Sequence, residues 1–131
     1  MRYFTLEEAR EAIPRLEKIF LSAADISARA QAKAVALRSL NRDLDPARFA
    51  LEKAQLDFLA SSADEVLREI EAMGAVVKGL NPGLVDFPAR LDGREVYLCW
   101  RQGEEEVGHF HGIEEGFAGR KPLPQNRSSL S

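Results

Sequence analysis

The sequence predicts an α+β fold, in which a long antiparallel helical hairpin precedes a small antiparallel β-meander of three or four strands. Two observations predict it. Through the first 74 residues, apolar side chains recur at three- and four-residue steps, which is typical of amphipathic helices. After Gly74 the pattern changes to short runs separated by Gly, Pro, Asn and Asp, which is typical of strands and turns.

The first helix is predicted to begin after Thr5, because Thr5 and Glu8 have the spacing of a capping box. Pro14 lacks the amide proton that a helix interior uses, so we expect a kink or a short first helix there. One apolar stripe follows the whole segment; its members are Leu6, Ala9, Ile13, Leu16, Phe20, Ala23, Ala30, Ala34 and Leu37.

The second helix is predicted from Pro46 to about Met73, with Asp45 as its N-cap and Gly74 as the residue that ends it. Two such helices cannot bury a full stripe between themselves, so the sheet, a second copy of the chain, or both must cover it. The stripe of the second helix contains Leu51, Ala54, Phe58, Val66, Ile70 and Met73.

The meander is predicted to begin with a short strand at residues 75–78 and a turn at 81–83. Asp92-Gly93 is a strong hairpin turn signal between residues 84–91 and 94–101. A last strand is predicted at 107–111. We expect one domain over residues 1–123, with the hairpin at 5–74, the meander at 75–120 and a flexible tail at 124–131.

The Asp92-Gly93 turn would fix which side chains share a face, because side chains alternate along a strand. One face is apolar and is predicted to cover the helices; its pairs are Val85–Trp100, Phe87–Leu98 and Ala89–Val96. The opposite face is polar, and it carries Arg101 and the pairs Asp86–Cys99, Pro88–Tyr97 and Arg90–Glu95.

The position of the two histidines depends on the next turn. A two-residue turn at Gly103-Glu104 would pair Trp100 with Val107 and put both histidines on the apolar face. One more loop residue would pair Cys99 with Val107 and Tyr97 with His109, which puts both histidines on the polar face. We favour the second register, because burying imidazoles without partners is costly.

Composition disfavours several classes of function. The net charge is −3 with no basic excess, so we expect no nucleic-acid partner. The N-terminus lacks the apolar core of a secretion signal and no apolar run is long enough to span a bilayer, so we expect no membrane association. Cys99 is the only cysteine, which fits a reducing compartment and predicts a cytoplasmic protein.

Two kinds of catalytic site are considered on the polar face. His109 and His111 are weak candidate metal ligands, which Asp86, Cys99 or a glutamate from residues 104–106 could complete. Cys99 could be a nucleophile with His109 as its base. The alternatives are surface histidines and a small half-buried cysteine. No metal or other cofactor is predicted.

The turn at residues 116–121, Gly-Phe-Ala-Gly-Arg-Lys, could bind an anion through backbone amides and Arg120. The alternative is a tight turn that returns Phe117 to the core while Arg120 pairs with an acid such as Asp86. The acidic turns at residues 104–106 and 114–115 are predicted to be solvated.

Several motifs resemble the small prokaryotic domain-of-unknown-function family numbered 2203. They are Thr-Leu-Glu-Glu-Ala near the N-terminus, Gly-Leu-Val-Asp-Phe-Pro-Ala, Val-Tyr-Leu-Cys-Trp-Arg and Gly-Phe-Ala-Gly-Arg-Lys-Pro-Leu. Family members often read Trp-His where this chain has Phe110-His111, which keeps His111 in the pattern and leaves His109 outside it. The resemblance implies no activity. The site residues it implies are Asp86, Trp100, Arg101, His111, Gly116, Phe117, Gly119 and Arg120.

The first hypothesis for function is a cytoplasmic binding or interaction module. It would form a homodimer through its helices, and its polar sheet face would bind a small anionic ligand or a protein partner. The alternative is a metal-assisted or thiol-based enzyme that uses Asp86, Cys99, His109 and His111. A structural scaffold without a ligand is the third hypothesis, and the sequence leaves open whether the protein is an enzyme.

Overall fold

In the computed structural model, which describes residues 2–124, two long helices precede an antiparallel sheet. The helices are α1 (Leu6–Arg38) and α2 (Pro46–Ala72). The strands are β1 (Val76–Leu80), β2 (Gly83–Leu91), β3 (Arg94–Arg101), β4 (His109–Gly112) and β5 (Lys121–Pro122), and a 3-10 turn at Phe117–Gly119 precedes β5. The strands lie side by side in the order in which they occur in the sequence, so the sheet is a meander.

The predicted fold class is confirmed, but within residues 2–124 the sheet has five strands rather than three or four. β5 is only two residues long and pairs with β4 through His109–Pro122 and Phe110–Lys121. Two residues that include a proline give no alternating pattern, and proline is tolerated at a sheet edge. The predicted tail lies outside the described residues except for Pro124.

The chain divides into two compact units. The first contains residues 2–20 and 69–124, and the second is Leu21–Arg68. The prediction of a single domain over residues 1–123 stays a prediction. Within the described chain, every buried apolar side chain belongs to the first unit: Phe4, Leu6, Ala9, Ile13, Leu16, Ile19, Phe20, Ile70, Ala75, Val85, Phe87, Ala89, Leu91, Val96, Leu98, Cys99, Trp100 and Val107.

The second unit is a helical hairpin formed by residues 21–38 of α1 and 46–68 of α2. Lys33 joins the two helices, since its Nζ lies 2.9 Å from a Glu52 carboxylate oxygen. The turn between the helices is closed by Asn41, whose side chain accepts the amide of Asp43 at 2.9 Å. Over residues 2–124, no helix is both long and apolar enough to cross a bilayer.

The predicted helix ends are confirmed. The Thr5 amide donates to the Glu8 carboxylate at 2.9 Å, and the Glu8 amide donates to the Thr5 hydroxyl at 3.1 Å. Asp45 accepts the Arg48 amide at 3.2 Å. Gly74 follows α2 with a φ of 98°, the left-handed conformation that ends a helix.

Pro14 does not shorten the first helix, contrary to one of the two sequence expectations, since α1 continues through it to Arg38. Pro14 is exposed, so water can reach the carbonyl that the proline leaves without an amide. The neighbouring Ile13 and Leu16 are buried in the core. Their burial offsets the roughly 3 kcal/mol that an interior proline costs a helix.

The hairpin of β2 and β3 has the predicted register. Asp92 and Gly93 form its turn with φ values of 52° and 77°. Both values are positive, as a two-residue type I′ turn requires. The predicted pairs are confirmed from Leu91–Arg94 back to Val85–Trp100. The six side chains predicted for the apolar face are all buried.

The pairing of β3 with β4 confirms the favoured face but not the residue pairs. Cys99 pairs with His109 and Tyr97 with His111, so both histidines lie on the polar face. Both predicted registers are wrong, and the favoured one is displaced by two residues. The connection is longer than predicted, because Val107 leaves the strand and is buried, while the indole nitrogen of Trp100 donates to the Glu104 carbonyl at 3.0 Å.

Gly83 is required at the start of β2 because the Phe20 ring lies directly over it. A Cβ at position 83 would lie 2.7 Å from two atoms of that ring. Phe20 cannot easily withdraw, since it is buried and its ring centroid lies 6.1 Å from that of Trp100.

We expect Gly83→Ala to lower the free energy of unfolding by about 1–3 kcal/mol, the usual effect of overpacking a core. Urea unfolding followed by circular dichroism measures the change. Gly116→Ala is the matched control, because nothing lies within 4 Å of its added Cβ and its φ is −103°. Equal stability of wild type and Gly83→Ala would contradict the close approach of Phe20.

Candidate functional site

Three chemically reactive side chains meet beneath the polar face of the sheet. Asp86 lies on β2, Cys99 on β3 and His111 on β4. Their exposed fractions are only 2%, 1% and 2%. Their donor atoms all lie within 4.8 Å of one another. We call these three residues the buried triad.

The register of the sheet builds the buried triad. Asp86 and Cys99 are direct partners across the β2–β3 hairpin, so both point to the same face. His111 pairs with Tyr97, two residues before Cys99, which places the imidazole diagonally across from the thiol. The Tyr97 ring lies 5.5 Å from the His111 ring, and the Lys78 ammonium lies 5.3 Å from the Tyr97 ring.

The hydrogen bonds of His111 fix the orientation of its ring. Its Nδ1 is 2.8 Å from the Gly112 carbonyl oxygen. A carbonyl oxygen only accepts, so Nδ1 carries a proton. The Nε2 atom lies 3.0 Å from both carboxylate oxygens of Asp86. The imidazole therefore reaches from the backbone of β4 to the carboxylate on β2.

Cys99 is held as a neutral thiol. Burial, helped by the negative charge of Asp86, raises its pKa from the ordinary value of 9.0 to about 11. Only the thiolate is a good nucleophile, so the structure does not support Cys99 as the nucleophile of a thiol enzyme.

Arg120 is paired with Glu104 and not with Asp86. One guanidinium nitrogen lies 2.9 and 3.0 Å from the two Glu104 carboxylate oxygens and 3.4 Å from the Cys99 carbonyl oxygen. The guanidinium also lies 4.7 Å from the centre of the Phe117 ring. Glu104 therefore already supplies a carboxylate to this cation, while the buried Nε of Arg120 has no hydrogen-bond partner among the described residues.

The Gly116–Lys121 turn is closed by its own backbone. The Gly119 amide donates to the Gly116 carbonyl at 2.9 Å, and the Arg120 amide donates to the Phe117 carbonyl at 3.1 Å. These two amides are therefore not available to an anion. Glu115 adds a further contact, because its carboxylate accepts the Gly112 amide at 2.9 Å.

Sequence reasoning missed the role of Glu104, which was predicted to be solvated and is half-buried against Arg120. Glu104 also accepts the Arg101 amide at 2.7 Å, so it holds the end of β3 as well as Arg120. Glu105, Glu106, Glu114 and Glu115 are exposed, as predicted. Glu106 also pairs with Arg10 at 3.3 Å, so an ion pair alone does not distinguish Glu104 from the others. Its partial burial against Arg120 does, and a run of glutamates does not show this contact.

The other predicted site residues do not join the buried triad. Trp100 lies on the apolar face in the core, and Arg101 is exposed. Gly116, Phe117 and Gly119 form the turn that precedes β5. His109 pairs with Cys99, and its Nδ1 is 3.9 Å from Glu104 without a hydrogen-bond partner among the described residues.

We expect Asp86→Ala and His111→Ala each to cost about 3–5 kcal/mol of stability, because each leaves one buried charged or polar partner alone. The double variant should lose less than the sum of the two, with a coupling energy of about 0.5–3 kcal/mol. Urea unfolding in the presence of a chelator measures all four proteins. Strictly additive losses would contradict the pairing of these two side chains.

The raised pKa of Cys99 predicts a loss of stability at alkaline pH. Between pH 9 and 11 the unfolded chain releases the thiol proton while the folded protein retains it. The protonated Cys99 thiol therefore adds to the free energy of unfolding below pH 9. This stabilisation, about 2–3 kcal/mol, is lost as the pH rises from 9 to 11. The stability difference between wild type and Cys99→Ala, measured with chelator, should shrink accordingly. A stability difference between wild type and Cys99→Ala that does not change with pH would contradict the raised pKa of Cys99.

Residues 2–123 match the family described as an uncharacterized conserved protein, DUF2203, so the chain belongs to this family. The resemblance inferred from the sequence motifs is confirmed. No curated protein and no solved structure matches the chain.

Proposed function

We propose that this member of the DUF2203 family is a protein-interaction module that works as a homodimer through its helical hairpin. One observation carries the proposal: in Leu21–Arg68, no residue is buried. Yet 25 of these 48 residues are Ala, Val, Ile, Leu or Phe, which is enough to form a core. A hairpin of this composition is stabilised when a partner covers its apolar face.

The exposed apolar residues are aligned along the helices. On α2, Leu51 and Phe58 are seven residues apart and therefore lie on one face. Their exposed fractions are 55% and 71%. On α1, Leu21 and Val35 are fourteen residues apart and are also exposed. This spacing is the one that helices use to pack against a partner helix.

A groove of about 550 Å³ lies between the two helices of the hairpin. Its apolar lining comes from small and large side chains of both helices, namely Ala32, Ala54, Phe58 and Leu59. Its polar lining is Arg29, Lys33 and Gln55. Such a groove accepts apolar side chains from a facing helix.

The charges of the hairpin do not oppose a second copy. Residues 21–68 contain seven basic and seven acidic side chains, so the segment is neutral and two copies do not repel each other. The two cations of the groove are already paired within the chain, Arg29 with Asp25 and Lys33 with Glu52, so no unpaired charge has to be buried with the groove.

The size of the surface is also sufficient. The two helical segments of 18 and 23 residues are about 27 and 34 Å long. With two helices side by side, one face covers about 600 Å² per copy, or about 1,200 Å² in total, which reaches the range of specific stable interfaces. Two hairpins packed in this way form a four-helix bundle.

The proposal places recognition on the hairpin rather than on the polar sheet face. The anionic-ligand site predicted at Arg120 has less support, because Glu104 already supplies the carboxylate. The thiol-based enzyme also has less support, because Cys99 is a buried neutral thiol. A single cysteine that cannot form an internal disulfide supports a cytoplasmic location.

We expect the wild-type protein to be dimeric at micromolar concentration and Phe58→Asp to be monomeric, because a carboxylate in the apolar interface would be desolvated without a partner. Analytical ultracentrifugation measures both. Leu80→Asp is the matched control, since Leu80 is similarly exposed at 60% but lies on β1. It should remain dimeric.

A monomeric wild-type protein would overturn the proposal. The proposal would also be overturned if Leu80→Asp were monomeric while Phe58→Asp stayed dimeric. The interface would then lie on the first unit, which contains the sheet. Circular dichroism confirms that each variant is folded before its mass is interpreted.

A further inference from the structure

We propose that the buried triad, Asp86, Cys99 and His111, is a binding site for a divalent transition metal of the zinc type. The site is independent of the proposed dimer, because its three residues belong to the first unit and the hairpin is the second. It differs from the metal set considered from the sequence, since it uses His111 but not His109.

The geometry of the donors fits a tetrahedral ion. Zinc bonds of about 2.0–2.3 Å place neighbouring ligand atoms about 3.3–3.6 Å apart. The His111 Nε2 and Asp86 oxygens are 3.0 Å apart, and all the donor atoms of the triad lie within 4.8 Å. Side-chain adjustments of about 1 Å therefore bring all three to a common ion.

His111 is already oriented as a metal-binding histidine. Its Nδ1–H donates to the Gly112 carbonyl, which directs the Nε2 atom toward Asp86 and Cys99. A hydrogen bond from the other ring nitrogen to a backbone carbonyl is the usual arrangement around protein zinc ions, and it fixes both the tautomer and the ring orientation.

The ligand types select the metal. A thiolate, an imidazole and a carboxylate are all zinc ligands, and three protein ligands leave a fourth position for water or a small anion. Calcium and magnesium require oxygen ligands in larger numbers, which this set does not offer. The thiolate and imidazole therefore favour a borderline or soft ion over a hard one.

The charges of the ligands match the charge of the ion. A Cys99 thiolate and an Asp86 carboxylate together carry two negative charges, and a His111 imidazole that binds through Nε2 is neutral. A divalent ion bound by these three buried side chains therefore forms a neutral site, which lowers the cost of burying its charge.

Zinc titration tests the site. The protein is prepared without a histidine tag, stripped with chelator and titrated with zinc chloride by calorimetry in buffers of different ionisation enthalpy. We expect one zinc per chain and the release of protons on binding, because a thiol must lose its proton to bind a metal ion. Substitution with cobalt should give thiolate-to-metal charge-transfer absorption, which reports the Cys99 bond directly.

Three variants separate the donor set from its surroundings. Cys99→Ser keeps the size of the side chain and should weaken zinc binding by at least about 100-fold, beyond the effect of an outer ligand. Asp86→Asn should weaken it similarly. His109→Gln is the matched control, because His109 lies on the same strand and the same face as His111 but outside the buried triad. This variant should bind zinc as tightly as wild type.

The proposal is overturned if folded wild-type protein takes up no zinc on titration, or if Cys99→Ser binds as tightly as wild type. Loss of binding in His109→Gln together with retained binding in Cys99→Ser would also overturn it. The cobalt spectrum needs no variant, so misfolding of a triad variant cannot leave the proposal undecided.

Discussion

The two-residue turn at Asp92-Gly93 determines the chemistry of both sides of the sheet. Because its two residues take positive φ angles, the strands on either side can pair in one register only. That register turns Phe87 and Trp100 into the core and brings Asp86 beside Cys99 on the other face. A slip of one residue would bury the polar pairs against the helices and expose the apolar ones.

The parts of the structure that depend on neighbouring residues could be predicted from the sequence. The capping box at Thr5, the N-cap at Asp45 and the hairpin register require only local geometry. Two members of the buried triad, Asp86 and Cys99, are direct partners in that hairpin, so the turn signal alone is enough to place them side by side.

The parts that depend on distant residues could not be predicted. The position of β4 depends on the burial of Val107 and on the bond from Trp100 to the Glu104 carbonyl, and neither has a turn signature. The role of Glu104 depends on Arg120, sixteen residues later in the chain. Pro14 breaks a local rule, yet α1 continues because Ile13 and Leu16 are buried in the core. In each case a tertiary contact outweighs the local preference.

The segments that share the core are far apart in the chain, and this affects how the protein folds during synthesis. The start of α1, with Leu16 and Phe20, packs in the same unit as strands that begin at Val76 or later. The entire helical hairpin is therefore synthesised before the strands that complete the core. Contacts between segments so distant in sequence form slowly, and the apolar start of α1 stays exposed in the meantime. The nascent chain therefore exposes apolar side chains, among them Leu16 and Phe20, that the finished protein buries.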